Sequence, residues 1–414
     1  MKRKSVKKEA EKSIKRYDVL KNMEMIQMIA ITGGKIVTVA NGIIENGTVL
    51  VENGKIAGVG KDVFIPTGTK MIDAAGKWVT PGFIDAHTHI STSNEPKTMP
   101  ARYETNEVSN PITAHLRGMD SFNPDDMAIE HARKAGFTTC YTGPGSANII
   151  GGTGFSFKLR EAATVQEMAI PGSEHMKMAL GENPKRVYGV EGKMPVTRMG
   201  NAALMRETLF DAKVYSDDLK KAEQDPAKAP KPNFKLAALV PVVRREMKVR
   251  IHAHRADDIV TAVRVSHEFN LDFAIEHCTE GYKILEFLKE NNVTAVVGPL
   301  TMPPSKMEIW GRKLETPGLM EKAGVNFCLT EDTGSGTKYL PMHVGLCIAR
   351  GLSETAAFEA VTIRPATLLG LCDRVGTIEV GKDADLAIFD GFPFSNLTLC
   401  EKTIIDGEVY SNQE

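Results

Sequence analysis

The stretch Pro81-Gly82-Phe83-Ile84-Asp85-Ala86-His87-Thr88-His89 reads as a short apolar strand that ends by presenting two histidines one residue apart. Alternate residues of a strand point to the same side. Both imidazoles can therefore face one point, and neutral imidazole is a common nitrogen ligand for zinc and related ions. Two histidines so spaced can also be a surface accident, but three later segments repeat the layout. Lys248-Val249-Arg250-Ile251-His252-Ala253-His254 ends in a second such pair, Asp272-Phe273-Ala274-Ile275-Glu276-His277 in one histidine, and Val325-Asn326-Phe327-Cys328-Leu329-Thr330-Glu331-Asp332 in two acids. Helix-like stretches lie between them, at 256–269, 280–291 and 314–323. This alternation predicts parallel strands joined by helical crossovers. Closed into an α/β (β/α)8 TIM barrel, such a sheet would bring strand ends far apart in sequence to one face, the face where that fold carries its chemistry.

Composition fits a globular enzyme. A chain of 414 residues exceeds what one hydrophobic core usually supports, which predicts a barrel plus a smaller domain. A net charge of −1 argues against a nucleic-acid binder held by bulk electrostatics. The six cysteines (140, 278, 328, 347, 372, 400) show no CxxC spacing, which favours a cytoplasmic enzyme with scattered thiols over a disulfide framework. No apolar run reaches the roughly 18 residues of a membrane span. Residues 1–25 form a basic tail, expected to be disordered; its first 21 residues hold nine Lys or Arg against three acids and no signal-peptide apolar run follows. From Ile29 to Val79 the chain is strand-like and rich in glycine, and Asn53-Gly54 between alternating runs is a hairpin signal. Strand-like runs return at 384–391 and 402–410. Residues 217–233, charged and proline-rich, read as an exposed insertion between the fourth and fifth barrel strands.

Taken together, PGFIDAHTH (81–89), GPGSANIIGGTG (143–154, read as a loop), MKMALGENPKRVYG (176–189), IHAHRADDI (251–259), IEHCTEGYK (275–283), the Asp332 strand and GTIEVGKDADLAIFD (376–390) resemble the amidohydrolase superfamily. The likeness is close to its imidazolonepropionase-related branch, which includes metal-dependent Xaa-Pro-type dipeptidases. The resemblance covers roughly residues 29 to 410. It implies a small composite β-sandwich built from both chain ends, with residues 26–80 and 374–414 as its two halves and the hydrolase barrel at 81–373 between them.

The resemblance also implies a two-metal site. His87 and His89 would hold one divalent ion with Asp332, and His252 and His277 a second. Zinc is the expected metal, with Mn, Fe or Co as alternatives. Lys177 matches the family's strand-four lysine, whose amine combines with carbon dioxide into a carbamate that bridges the ions; an uncarboxylated Lys177 with a single metal is the alternative. The spacing of His252 and His254 puts both on one side of the strand and does not choose between them. By similarity the first is the ligand and the second, His254, a catalytic, substrate-contacting residue. A metal-activated hydroxide would attack the carbonyl, with Asp332 accepting its proton and passing it to the leaving nitrogen. Asn106, Glu107 and His115 are placed on the mouth loop as substrate-binding candidates. Arg255 either pairs with a substrate carboxylate or binds Asp257 or Asp258 locally. His131, His267 and His343 fall in helical stretches and read as surface or packing residues, while His175 is left open.

The expected activity is hydrolysis of an amide, cyclic amide or N-acyl C–N bond in a small molecule. A dipeptidase or carboxypeptidase of the Xaa-Pro type, a cyclic amidine hydrolase or deaminase and, remotely, a non-catalytic scaffold are the alternatives. A homo-oligomer is expected, with neither nucleic acid nor membrane as partner. Where the branch follows this Asp with an Asp-His-Pro-like turn, the present chain has Thr333-Gly334-Ser335-Gly336, so the specificity of relatives does not transfer. No phosphate-binding loop or GxSxG elbow competes with this reading: GPGSANIIGGTG lacks the Gly-Lys-Ser/Thr end.

Overall fold

Alternating apolar residues and glycine-marked turns give the N-terminal region its strands. In the computed structural model, which describes residues 28–96 and 104–412, these are β1 (Met28–Val37), β2 (Ile43–Glu52), β3 (Lys55–Gly60), β4 (Lys70–Asp73) and β5 (Trp78–Pro81). The basic tail expected at residues 1–25 lies outside the described residues. Asn53 and Gly54 take φ of 49° and 76° between the paired residues Glu52 and Lys55. Two left-handed residues are what a two-residue hairpin of this twist requires.

β5 runs almost directly into the second sheet: β6 (Phe83–Thr88), β7 (Phe137–Thr142), β8 (Ile150–Lys158), β9 (His175–Ala179), β10 (Val249–Ala253), β11 (Phe273–His277), β12 (Thr294–Val297) and β13 (Asn326–Leu329), neighbours in chain order. Most pairs are parallel, but β8 is antiparallel to both β7 and β9. The expectation of an all-parallel barrel is corrected at this strand. Residues 143–149 turn the chain straight back, so no helical crossover intervenes, and the glycine-rich run read as a loop is half turn and half strand. Close backbone approach explains Gly152 and Gly154: a Cβ on Gly154 would lie 2.5 Å from the Thr142 carbonyl oxygen, and one on Gly152 would crowd that of Leu116 still more closely. The sheet is a nearly closed barrel. Its edges, β6 and β13, meet through side chains, with the Thr330 hydroxyl 2.6 Å from both Asp85 Oδ1 and the His87 carbonyl oxygen. Burial pushes the Asp85 carboxyl up to about 7, against the opposing hydrogen bonds from Thr330, the His87 amide and Thr337.

Alternation along the strands sorts the side chains. Val249, Ile251 and Ala253 of β10 join the large apolar core, while Arg250 and His252 point the other way. Helices Ala256–Glu268 and Thr316–Ala323 form where expected; over 280–291 there is a 3-10 turn, Gly281–Lys283, followed by the short helix Leu285–Glu290. The insertion expected at 217–233 lies exposed or half-exposed between β9 and β10, and part of it is helical. Residues 217–224 finish the helix Arg198–Gln224, whose first turn is capped by Thr197 Oγ1 accepting from the Gly200 amide at 3.0 Å, and only 225–233 form the connector to helix Phe234–Val243.

The chain then returns to the first sheet as β14 (Leu386–Phe389), β15 (Cys400–Ile405) and β16 (Glu408–Ser411). The order there is β16-β15-β14-β5-β1-β2-β3, with β4 beside β1. This sheet has its own apolar cluster, including Ile29, Ile31, Val49, Val79, Leu386 and Ile404. A buried polar knot ties the two sheets together. Lys158, the last residue of β8, places its ammonium 2.8 Å from Asp383 and 3.1 Å from Asp385, and also bonds Asp406.

Candidate metal centre

The ends of β6, β10 and β11 and the segment after β13 put six potential ligands side by side. Ligand atoms of His87, His89 and Asp332 lie within 4.8 Å of one another, as do those of His252, His254 and His277. The two groups adjoin, since the ring centroids of His87 and His277 are 5.3 Å apart and those of His252 and His277 are 4.5 Å apart. Lys177, on neighbouring β9, is buried. Three residues depart from ordinary backbone geometry here: His277, Cys278 and Asp332 have φ of 68°, 45° and 62°. Non-glycine residues in the left-handed region are costly and concentrate at functional sites. At His277 the departure breaks the strand alternation, so consecutive Glu276 and His277 both reach the site.

Asp332 Oδ1 is 2.7 Å from His87 Nε2 and 3.3 Å from His89 Nε2. Burial would raise its pKa, but the surrounding histidines hold the carboxyl well below the usual range. Behind His87, Glu276 Oε2 sits 2.6 Å from Nδ1 while its other oxygen lies 2.5 Å from Arg250 Nε, all three residues being buried. Arg250 also donates to the Ala86 carbonyl at 2.7 Å. Burial raises and this pairing more than offsets it, keeping Glu276 ionised. Burial, with the neighbouring cationic groups, holds His252 and His254 well below the ordinary histidine value, so both are neutral imidazoles.

These residues fit divalent cations. His89 Nδ1 and His277 Nδ1 each lie 2.8 Å from a backbone carbonyl, of Gly143 and Gly298. A carbonyl can only accept, so each Nδ1 carries the proton and each Nε2 keeps its lone pair, the usual outer-shell arrangement of a ligating histidine. His252 Nδ1 is buried without a hydrogen-bond partner. Lys177 is buried with no carboxylate within 4 Å among the described residues, and burial pushes its ammonium pKa down.

The centre opens into a cavity of about 220 Å³ lined by His89, Asn106, Asn183, His252, His254, Lys306, Arg312 and Asp332, among others. Of the substrate-binding candidates, Asn106 lies on this cavity. Glu107 is exposed and lines a separate 490 Å³ hollow that Asn106 also borders. His115 packs its ring against Phe234, and Arg255 is held by Asp257 at 2.8 and 3.0 Å; neither lines the cavity. The local partner for Arg255 prevails because Asp257 is two residues away on the first turn of the same helix. His343, read as a helical bystander, bonds Glu331 and Thr301 beside the centre. Glu276, Arg250, Glu308, Lys306 and Arg312 were not singled out from the sequence. A charged residue within an apolar strand was the available signal for Glu276 and Arg250. The irregular segment 298–312 offered no periodicity from which to place the others.

A model of the amidohydrolase family matches residues 78–410. The chain belongs to the amidohydrolase family. That makes it a hydrolase of carbon–nitrogen bonds, in a family whose members are generally metal-dependent. Amidohydrolase tasK of Hapsidospora irregularis is 28% identical over 87% of this chain, which spans only 39% of that relative's length. Imidazolonepropionase of Brucella anthropi is 25% identical over 84% of this chain and 88% of its own. The crystal structure of an amidohydrolase from Thermotoga maritima MSB8 is 36% identical, covers 92% of this chain and 99% of its own, and superposes with a TM-score of 0.87. A prolidase structure at 17% identity and a TM-score of 0.57 shares the fold alone. No helix of the described residues is long and apolar enough to cross a membrane.

Proposed function

We propose that this protein hydrolyses an amide, cyclic amide or N-acyl bond of a small molecule at a two-metal centre. One ion would be held by His87, His89 and Asp332 and the other by His252 and His277, with carboxylated Lys177 as the anionic bridge. The observation carrying this reading is the adjacency of the two ligand groups at the barrel's strand ends. When bound, the ions would bring the pKa of a water toward neutrality and polarise the scissile carbonyl, with zinc the expected metal.

The chain's own residues do the rest. Asp332, ionised and facing the cavity, takes the attacking water's proton on a carboxylate oxygen and delivers it to the leaving nitrogen. His254 Nδ1 lies 2.7 Å from the Thr279 hydroxyl. A hydroxyl donating there leaves Nε2 protonated, able to donate to the carbonyl oxygen as charge develops on it. Glu276 and Arg250 hold the His87 ring from behind, and Asn106 contacts polar groups of the substrate. Glu107, His115 and Arg255 act in substrate binding only if the mouth loops rearrange. The first sheet serves as a β-sandwich composed of residues 26–80 and 374–414, supporting a barrel of residues 81–373. A cytoplasmic homo-oligomer is the expected setting.

The test is an activity screen of metal-loaded enzyme against N-acyl amino acids, dipeptides and cyclic amides. Hydrolysis that disappears on chelation and returns with zinc, manganese or cobalt supports the reading. Release of free amino acids from dipeptides alone would replace it with the dipeptidase alternative, and no turnover across the panel would count against it.

A further inference from the structure

We propose that the substrate carries a carboxylate and that Arg312 is the residue that binds it. This rests on the hydrolase reading above and adds the charge of the substrate to it. Arg312 is half-buried on the same cavity as His254 and Asp332. Its guanidinium is fixed by backbone carbonyls: Nη1 donates to Pro299 at 3.1 Å, Nε to Ile309 at 3.2 Å, and Nη2 to Met302. A guanidinium has about five N–H donors, so these three bonds leave two to spare.

No carboxylate among the described residues lies within 4 Å of that guanidinium. Its acidic neighbour Glu331 is bonded to His343 instead. Lys177 also lacks a paired carboxylate among the described residues, but it lies on β9, does not line the cavity and is assigned to the metal bridge. The remaining cations close to the centre are matched. Lys306, on the same cavity, is 2.6 Å from Glu308 and 2.9 Å from Asn183 Oδ1; Arg198 is 3.0 Å from Asp258; Arg250 is 2.5 Å from Glu276. Among the described residues Arg312 is therefore a positive charge held by backbone carbonyls and bonded to no carboxylate, facing the space a substrate must enter. Charge-assisted and forked hydrogen bonding makes a carboxylate its natural partner, and a donor already held in place binds without a large ordering cost. A cavity of about 220 Å³ suits a ligand of amino-acid size. Pro299, Met302 and Ile309 add an apolar wall beside the cation, so an aliphatic N-acyl amino acid or a carboxylated cyclic amide matches both features.

The experiment is calorimetric titration of the metal-loaded protein with N-acyl amino acids and carboxylated cyclic amides, each against its neutral carboxamide, starting with N-acetyl-L-leucine and N-acetyl-L-leucinamide. The parent should bind the acid about ten- to a hundredfold more tightly than the amide. Arg312→Gln should erase most of that preference and Arg312→Lys should keep part of it. In turnover the loss should fall on KM far more than on kcat. No preference for any acid in the parent, or equal losses of acid and amide in Arg312→Gln, would overturn the inference, the second by showing that Arg312 only braces its loop. Arg312-dependent acid binding without turnover of any amide would uphold the subsite and sink the hydrolase reading. Turnover with no charge preference would do the reverse.

Discussion

At the scale of single residues, the account turns on Asp332 and on the charges hidden behind the histidines. Asp332→Asn keeps size and a carbonyl oxygen but cannot take up a proton at this pH. Its kcat should fall about 10²- to 10⁴-fold, the usual cost of losing a general base. If kcat stays within about threefold of the parent with metal retained, the proton is carried elsewhere and the assigned role is wrong. Glu276→Gln is the complementary test. It leaves Arg250 buried without its counter-charge, which costs about 3–5 kcal/mol in urea unfolding. It should also weaken metal affinity about 10- to 100-fold, because the carboxylate that orients His87 is lost. Much of this was legible beforehand. His87, His89, His252 and His277 stood at the ends of apolar runs, and a strand's period of two predicts that His87 shares a direction with His89 and His252 with His254. Glu276 was not legible, because a regular strand would send it opposite to His277, and only the left-handed φ at His277 brings both to one place.

Among the elements, β8 is where the sequence misleads. Glycine weakens strands and marks turns, so GPGSANIIGGTG reads as a loop, yet its residues 150–154 pair with β9 in a strand whose following residues, 155–158, pair with β7. Gly154 is required by crowding against the Thr142 carbonyl and Tyr141, which only the folded hairpin creates, and Gly152 by the Leu116 carbonyl. Gly154→Ala should accordingly destabilise the protein by about 1–3 kcal/mol, the usual range for overpacking, read as a lowered Tm. An unchanged Tm would mean the hairpin yields readily and that its glycines have another cause. By contrast, the helices at 256–268 and 316–323 form where their patterns place them, since their apolar faces are set by local periodicity. Segment 298–312 carries Lys306, Glu308 and Arg312 without any such period, so nothing local indicated that it would form a wall of the cavity.

For the whole molecule, the Lys158 knot is the clearest link between the two sheets. Lys158→Ala would leave Asp385 buried with no other cation within 4 Å among the described residues, and unfolding free energy should drop by about 3–5 kcal/mol. Asp383 gives the knot a pH signature. Burial would raise its pKa, but Lys158, Lys55 and Arg374 pull it down from 3.8 to about 2. A carboxyl depressed in the folded state contributes stability that is complete above pH 3.8 and lost as pH falls toward 2. Asp383→Asn should therefore lower stability at neutral pH and flatten its pH dependence across that window. An unfolding profile parallel to the parent's there would show that the knot contributes nothing to acid sensitivity.

The central claim is that this barrel holds a two-metal centre bridged through Lys177. Metal content per chain, measured by elemental analysis of the parent and of Lys177→Ala after gentle purification, tests it most directly. The account predicts about two divalent ions in the parent and about one or none in the variant. Two ions retained by Lys177→Ala without added carboxylate would contradict it.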